Sequence, residues 1–247
     1  MFYSQFGEDR LLASIFEGKR SGLCIEVGAN DGVNDSTTYY FEQQGWDCLL
    51  IEPNPDLCMA IRAVRNARLF ECAASAAEGL ATLYIAEGAA RAHGVSGLGA
   101  DDEQARQRIS AFGFAARPVQ VAKRRLDAML EEAGITRSPD FITIDVEGHE
   151  LEVLKGLSID KWKPRIILTE DNSQFEDDTV LRYLSRFGYK PFRRTGVNDW
   201  YAHYSRRELV NLRSRFSWQR AAFKARARKR LRRVPGLVAL HNFLLRR

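Results

Sequence analysis

The chain has 247 residues, 45% of them hydrophobic and 28% charged, enough for one full α/β domain with a sizeable core. No apolar run has the length that spans a bilayer, the opening MFYSQFGEDRLL lacks a secretory-signal pattern, and Cys24, Cys48, Cys58 and Cys72 stand singly with no CxxC or Cys/His cluster for zinc. These features describe a reduced, cytoplasmic chain. The net charge of +5 conceals an asymmetry: residues 205–247 carry 14 Lys+Arg against one acid, Glu208, or +13, which leaves the first 204 residues at −8.

Short apolar, β-branched runs alternate with helical stretches through the first 204 residues. LCIEV (23–27), DCLLIE (47–52), ARLFEC (67–72), DFITID (140–145) and PRIILTE (164–170) read as strands bounded by Gly, Asn, Asp or Pro. STTYYFEQQG (36–45) and DLCMAIRAVRN (56–66) have helical character, and ELEVLKGL places Leu151, Leu154 and Leu157 on one helical side. This alternation predicts a doubly wound α/β fold. GYKPFRR (188–194) and DWYAHY (199–204) flank Thr195-Gly196-Val197-Asn198 and read as a hairpin, an antiparallel C-terminal edge on a mostly parallel sheet. The Ala/Gly-rich stretch 86–118 reads as a flexible insertion or lid.

The first strand runs into CIEVGANDG (24–32). Gly28 and Gly32 let the backbone turn tightly and come close to a ligand. A dinucleotide fingerprint requires G-x-G-x-x-G, and Asn30 stands where its second glycine belongs, which disfavours a nicotinamide-linked oxidoreductase. Glu26, Asn30 and Asp31 make the rim acidic and hydrogen-bonding, suited to a ligand with a sulfonium or ammonium charge. Glu52 ends the second strand about twenty residues later, where an acid commonly receives ribose hydroxyls.

CIEVGANDGVNDSTTYYFEQQGWDCLLIEPNP, then ECAAS, then FITIDVEGHELEVLKG, with SQFGEDRLL at the start, resembles the FkbM family of S-adenosylmethionine-dependent methyltransferases. The resemblance covers about residues 3–204. It implies a Rossmann-like class I methyltransferase sheet, S-adenosylmethionine as cofactor, and O-methylation of a hydroxyl on a glycan or related small molecule. By the same resemblance, Glu26, Gly28 and Asn30 surround the methionyl part, Glu52 holds the ribose, and Pro53 and Asn54 shape the adenine side. Ala73 and Ala74 would flank the adenine ring. The family's Ser-Asn-Thr after the glycine loop is here Ser36-Thr37-Thr38; the change leaves the role of Thr37 open, while Ser36 keeps its place among the cofactor-binding candidates.

Ligands of open α/β sheets bind outside the carboxyl ends of the strands. Asp145 ends one such strand in IDVEGHE, and Glu170, Asp171 and Asn172 end the next in IILTEDN. If these strands are neighbours, Asp145, Glu170 and Asp171 form an oxygen-rich candidate site for Mg²⁺. Asp145 is equally placed to contact cofactor or substrate. Methyl transfer to an alcohol needs the hydroxyl proton removed, and His149, four residues past Asp145, is the candidate base. His149 and Asp145 are therefore the candidate catalytic pair. Glu147 and Glu150 read as favourable acids of a helix first turn.

The tail 213–247 holds Phe216, Phe223, Ala227, Leu231 and Val234 near helical spacing with arginines on the other side, until Pro235-Gly236. A basic amphipathic helix of this kind fits peripheral contact with the anionic inner membrane surface. The same charge would serve a nucleic-acid methyltransferase as a binding arm, or pack on the acidic body. A non-catalytic nucleotide-binding module is the remaining class, which the acids at 145, 170 and 171 disfavour. Neither the acceptor nor the oligomeric state is written in the sequence.

Overall fold

The structure, a computed structural model, describes residues 1–87, 97–98, 107, 109–111 and 113–232. The chain divides into two compact units, Met1–Glu170 and Asp171–Arg247. In the first unit, helix α1 (Glu8–Ile15) precedes strand β1 (Leu23–Val27), whose five residues are all buried. A strand buried on both faces needs an unbroken apolar run rather than alternation, and LCIEV is such a run except for Glu26. Helix α2 (Tyr39–Gln43), strand β2 (Asp47–Ile51), helix α3 (Pro55–Val64) and strand β3 (Arg68–Phe70) follow. Pro55 at the first position of α3 and Asn54 at its N-cap, accepting from Asp56 N–H at 3.0 Å, fix where that helix begins.

A second, smaller sheet comes next and was not legible as strands. It is built from β4 (Ala73–Ala74), β5 (Gly79–Glu87), β6 (Gly97–Leu98) and β7 (Ala115–Arg124), in the order β4-β7-β5-β6. β5 and β7 pair antiparallel from Gly79↔Lys123 to Glu87↔Ala115. The ends of the stretch 86–118, expected to be a flexible insertion or lid, therefore belong to two strands. Residues 88–96 and 99–106 lie outside the described residues.

Helix α4 (Leu126–Glu132) leads to β8 (Phe141–Ile144), helices α5 (Glu150–Lys155) and α6 (Ile159–Trp162), and β9 (Ile166–Glu170). In the first unit the five main strands run parallel in the order β9-β8-β1-β2-β3, with Cys24↔Phe141 and Cys24↔Cys48 marking one register. Rings of Phe16, Phe41 and Trp46 pack around Phe141 at 6.2, 5.0 and 6.3 Å, closing the amino end of the sheet. The carboxyl end carries the loops. All four cysteines are free and buried.

The second unit contains α7 (Thr179–Arg186), the antiparallel hairpin β10 (Tyr189–Thr195) and β11 (Asn198–His203), and the long helix α8 (Leu212–Arg232). Thr195 pairs with Asn198, so Gly196 (φ 52°) and Val197 form a two-residue turn. The mostly parallel α/β sheet and the C-terminal hairpin read from the sequence are thus both present. The unit boundary falls at Glu170–Asp171, not at residue 204, because α8 packs on β10 and its Trp218 donates to Asp199 of β11.

Candidate active site

Three strand ends meet at Gly28. Its N–H donates to the Ile51 carbonyl of β2 at 2.9 Å, and Asp145 N–H donates to the Val27 carbonyl at 3.0 Å. A Cβ on Gly28 would stand 1.8 Å from the Asp145 carbonyl oxygen, and φ is 84°. Only glycine lets the first loop lie against the end of β8 in this conformation. Asn30 continues in the left-handed region at φ 50° and donates its N–H to Glu52 Oε2 at 2.9 Å.

Glu52 is the hinge of this cradle. It is 5% exposed, and its other oxygen accepts from Asn54 N–H at 2.9 Å. Burial raises its pKa against the lowering effect of these two hydrogen bonds, to about 7. Beside it Asn54, 1% exposed, uses its oxygen to cap α3 and leaves Nδ2 buried with no partner. An orphaned donor next to an acid with spare lone pairs is what a nucleoside would satisfy: ribose hydroxyls donating to Glu52, a ring nitrogen accepting from Asn54. Pro53 is half-buried between them. Ala73, itself in β4, is 3% exposed and packs with Leu83, Ile85 and Val121 of the second sheet.

Glu26 and Ser36 are placed differently from a ligand-facing reading. Glu26 accepts from Thr37 N–H at 2.7 Å, Ser36 Oγ at 2.7 Å and Thr38 Oγ1 at 2.5 Å, with Arg65 at 3.9 Å. Arg65, its side chain wholly buried, also donates to the Gly32 carbonyl at 2.6 Å and to Thr38 Oγ1 at 3.0 Å, and pairs with Glu42. The pair Glu26–Arg65 therefore ties the glycine loop to the Ser36–Thr38 segment, and the oxygens of Glu26 are committed there. Asp31 likewise spends its carboxylate on its own turn, accepting from Val33 and Asn34 N–H at 2.9 and 2.8 Å.

At the next strand ends, carboxylate oxygens of Asp145, Glu147 and Glu170 lie within 4.8 Å of one another. Asp145 has an exposed surface, yet crowded protein around its carboxyl desolvates it. That desolvation, the charges of Glu170 and Glu150, and a hydrogen bond with Glu170 hold its pKa well above the usual carboxylate value. Glu147, φ 56°, joins the group because Gly148, φ 100°, turns the chain back on itself; sequence spacing read it only as a helix-start acid. Glu150 instead closes the turn, accepting from Gly148 N–H at 2.9 Å.

Asp171 does not stand in this group. Its carboxylate accepts from Phe175 N–H at 2.9 Å and from Arg194 Nη1 at 2.9 Å, and also takes the Ser173 hydroxyl. Although burial opposes it, these partners bring its pKa below the ordinary value. An aspartate so neutralised is a poor cation ligand. His149 sits at the N-cap of α5 with Nε2 3.1 Å from Ser75 Oγ, and burial lowers its pKa, favouring the neutral imidazole that can accept a proton. Ser75 was not read from the sequence, since only the turn after β4 brings it to His149 across 74 positions.

Residues 26–191 match the methyltransferase FkbM domain. The 2-O-methyltransferase NoeI of Sinorhizobium fredii (strain NBRC 101917 / NGR234) is 29% identical over 185 residues, 71% of this chain and 74% of that protein. Among solved structures, precorrin-6y C5,15-methyltransferase from Geobacter metallireducens GS-15 is 10% identical over 78% of this chain and 84% of its own, with a TM-score of 0.41. A TehB-like SAM-dependent methyltransferase from Corynebacterium glutamicum ATCC 13032 Kitasato is 12% identical over 81% and 89%, also with a TM-score of 0.41.

Proposed function

Since the chain belongs to the FkbM methyltransferase family and is an S-adenosylmethionine-dependent methyltransferase, we propose that its acceptor atom is a hydroxyl oxygen of a glycan or related small molecule. The observation that carries this reading is the cluster of the Asp145, Glu147 and Glu170 carboxylates at the carboxyl ends of β8 and β9. The 2-O-methyltransferase named above supports it. When bound, S-adenosylmethionine supplies a methyl group made electrophilic by its sulfonium sulfur.

The protein's own residues then have three tasks. Glu52 and Asn54 hold the nucleoside, and the backbone of Gly28 to Asn30 lies close against it. His149 takes the hydroxyl proton, a role that contributes on the order of 10²–10⁴ in rate. Asp145, Glu147 and Glu170 are the residues that would hold a divalent cation such as Mg²⁺, which acidifies an alcohol bound to it.

The test supplies S-adenosylmethionine with an isotopically labelled methyl group to the chain together with sugar alcohols, amines and nucleic acid. Label recovered as a methyl ether is the expected result, with His149→Ala lowering turnover about 100-fold or more at unchanged cofactor affinity. EDTA should abolish turnover and Mg²⁺ restore it. Label on nitrogen or on nucleic acid would replace the hydroxyl reading, and full turnover in EDTA would remove the cation from it.

A further inference from the structure

Helix α8 has two faces, and among the described residues only one of them is packed. Ser214, Trp218, Ala222 and Ala225 are buried or half-buried, and they fall on one side of the helix, which packs on β10. Trp218 is the anchor: its Nε1 donates to the buried Asp199 carboxylate at 2.9 Å, and its ring meets Phe175 edge-on at 5.3 Å. At 3.6 residues per turn, Leu212, Phe216 and Phe223 fall within about 40° of one another, some 140° round from the packed face. These three side chains are 84%, 68% and 75% exposed, an unusual display of large apolar groups on one stripe. Exposed Arg213 and Arg220 border the stripe on one side and Arg215 on the other.

The sequence pattern set the arginines opposite the apolar residues; the structure sets them beside the outward stripe, because the packed side is taken by Trp218 and small residues. We propose that this face of α8 is a docking surface for an anionic lipid bilayer, lying in the headgroup plane with Leu212, Phe216 and Phe223 buried in the acyl boundary and the arginines on lipid phosphates. Charge complementarity carries the choice of occupant: residues 205–247 hold 14 Lys+Arg and one acid. A nucleic-acid backbone would use the arginines but leave the apolar stripe without a role. No helix among the described residues is long and apolar enough to cross a membrane, so the contact is one of lying on the surface.

The experiment is sedimentation of the full chain with vesicles of phosphatidylcholine alone, and of phosphatidylcholine with phosphatidylglycerol in equal proportion. Binding to the second and not the first is expected, weakening as salt is raised. In the double variant Phe216→Ser, Phe223→Ser, whose changes are on exposed positions, binding should fall about tenfold or more with the melting temperature unchanged. Absence of vesicle binding by the wild type overturns the proposal. So does equal binding by the double variant, which would show charge attraction alone. Tight binding to duplex DNA or RNA that the Phe variants leave intact, without vesicle binding, would replace the bilayer by a nucleic acid.

Discussion

Glu52 carries two functions that pull against each other. Held by two backbone N–H groups it belongs ionised, but burial has raised its pKa to about 7, so near neutrality the carboxyl is close to half protonated. Ribose hydroxyls are donors, and the carboxylate receives them better than the acid does. Cofactor affinity measured by calorimetry should therefore rise as pH is raised through about 7. Glu52→Gln should lower affinity about 10- to 100-fold, the range of a hydrogen bond to a charged group, and flatten the pH profile. A pH profile in the variant as steep as in the wild type would assign the titration to another group. Glu52 stands out in the sequence as a strand-ending acid about twenty residues past a glycine loop, and the structure sets it against the N–H groups of Asn30 and Asn54; that it receives ribose hydroxyls is part of the proposal above. Glu147 was not legible in the sequence, since the turn that brings it to Asp145 depends on positive φ at two successive residues, and a sequence shows only that one of them is glycine.

Elements are joined here by side chains whose partners lie far away along the chain. Arg65 closes α3 yet holds Gly32 of the first loop, Thr38 before α2, and Glu42 within it, while its guanidinium lies 4.9 Å from the Tyr39 ring centroid. Removing it leaves the buried carboxylate of Glu26 without its cation. Arg65→Met should destabilise the fold by about 3–5 kcal/mol, and cofactor affinity should fall because the glycine loop loses its tie to the Ser36–Thr38 segment. Arg65→Lys keeps the charge without the fork and should recover part of the stability but less of the affinity, as chemical unfolding and calorimetry together would show. Equal recovery of both would mean that charge alone, not the ordering of the loop, is what Arg65 supplies. Glu26 looked like a cofactor ligand because its partner is 39 positions away; a motif read locally contains no trace of Arg65. The parallel strands were legible because each is a closed apolar run. β5 and β7 were missed for the opposite reason: AARPVQVAKR is half-exposed and mixed in polarity, and its order comes from pairing with β5 rather than from its own pattern.

For the whole molecule, pH acts through carboxyls that burial keeps from ionising. Asp199, 3% exposed, has its pKa raised from 3.8 to about 6 by burial, although Arg194 and Trp218 favour the charged form. A folded pKa above the unfolded one means that the folded chain binds the proton more firmly between those two values, so stability falls as pH rises from about 4 to 6. The side chain is near-isosterically replaced in Asp199→Asn, which still accepts from Trp218 but cannot ionise. Relative to that variant the wild type should lose about 3 kcal/mol over this interval, at about 1.4 kcal/mol per unit of pKa shift, as urea unfolding at a series of pH values would measure. Arg194 limits the loss: it lies 3.1 Å from Asp199 and 2.9 Å from Asp171, so one guanidinium serves both acids. Had Asp171 been free for a cation, Arg194 would have had only Asp199, and the hairpin would have been held by one ion pair. The same residue that removes Asp171 from the acid group thus ties the start of the second unit to both strands of its hairpin. A constant difference between wild type and Asp199→Asn from pH 4 to 7 would show that Asp199 stays ionised throughout, and that the Arg194 pairing outweighs its burial.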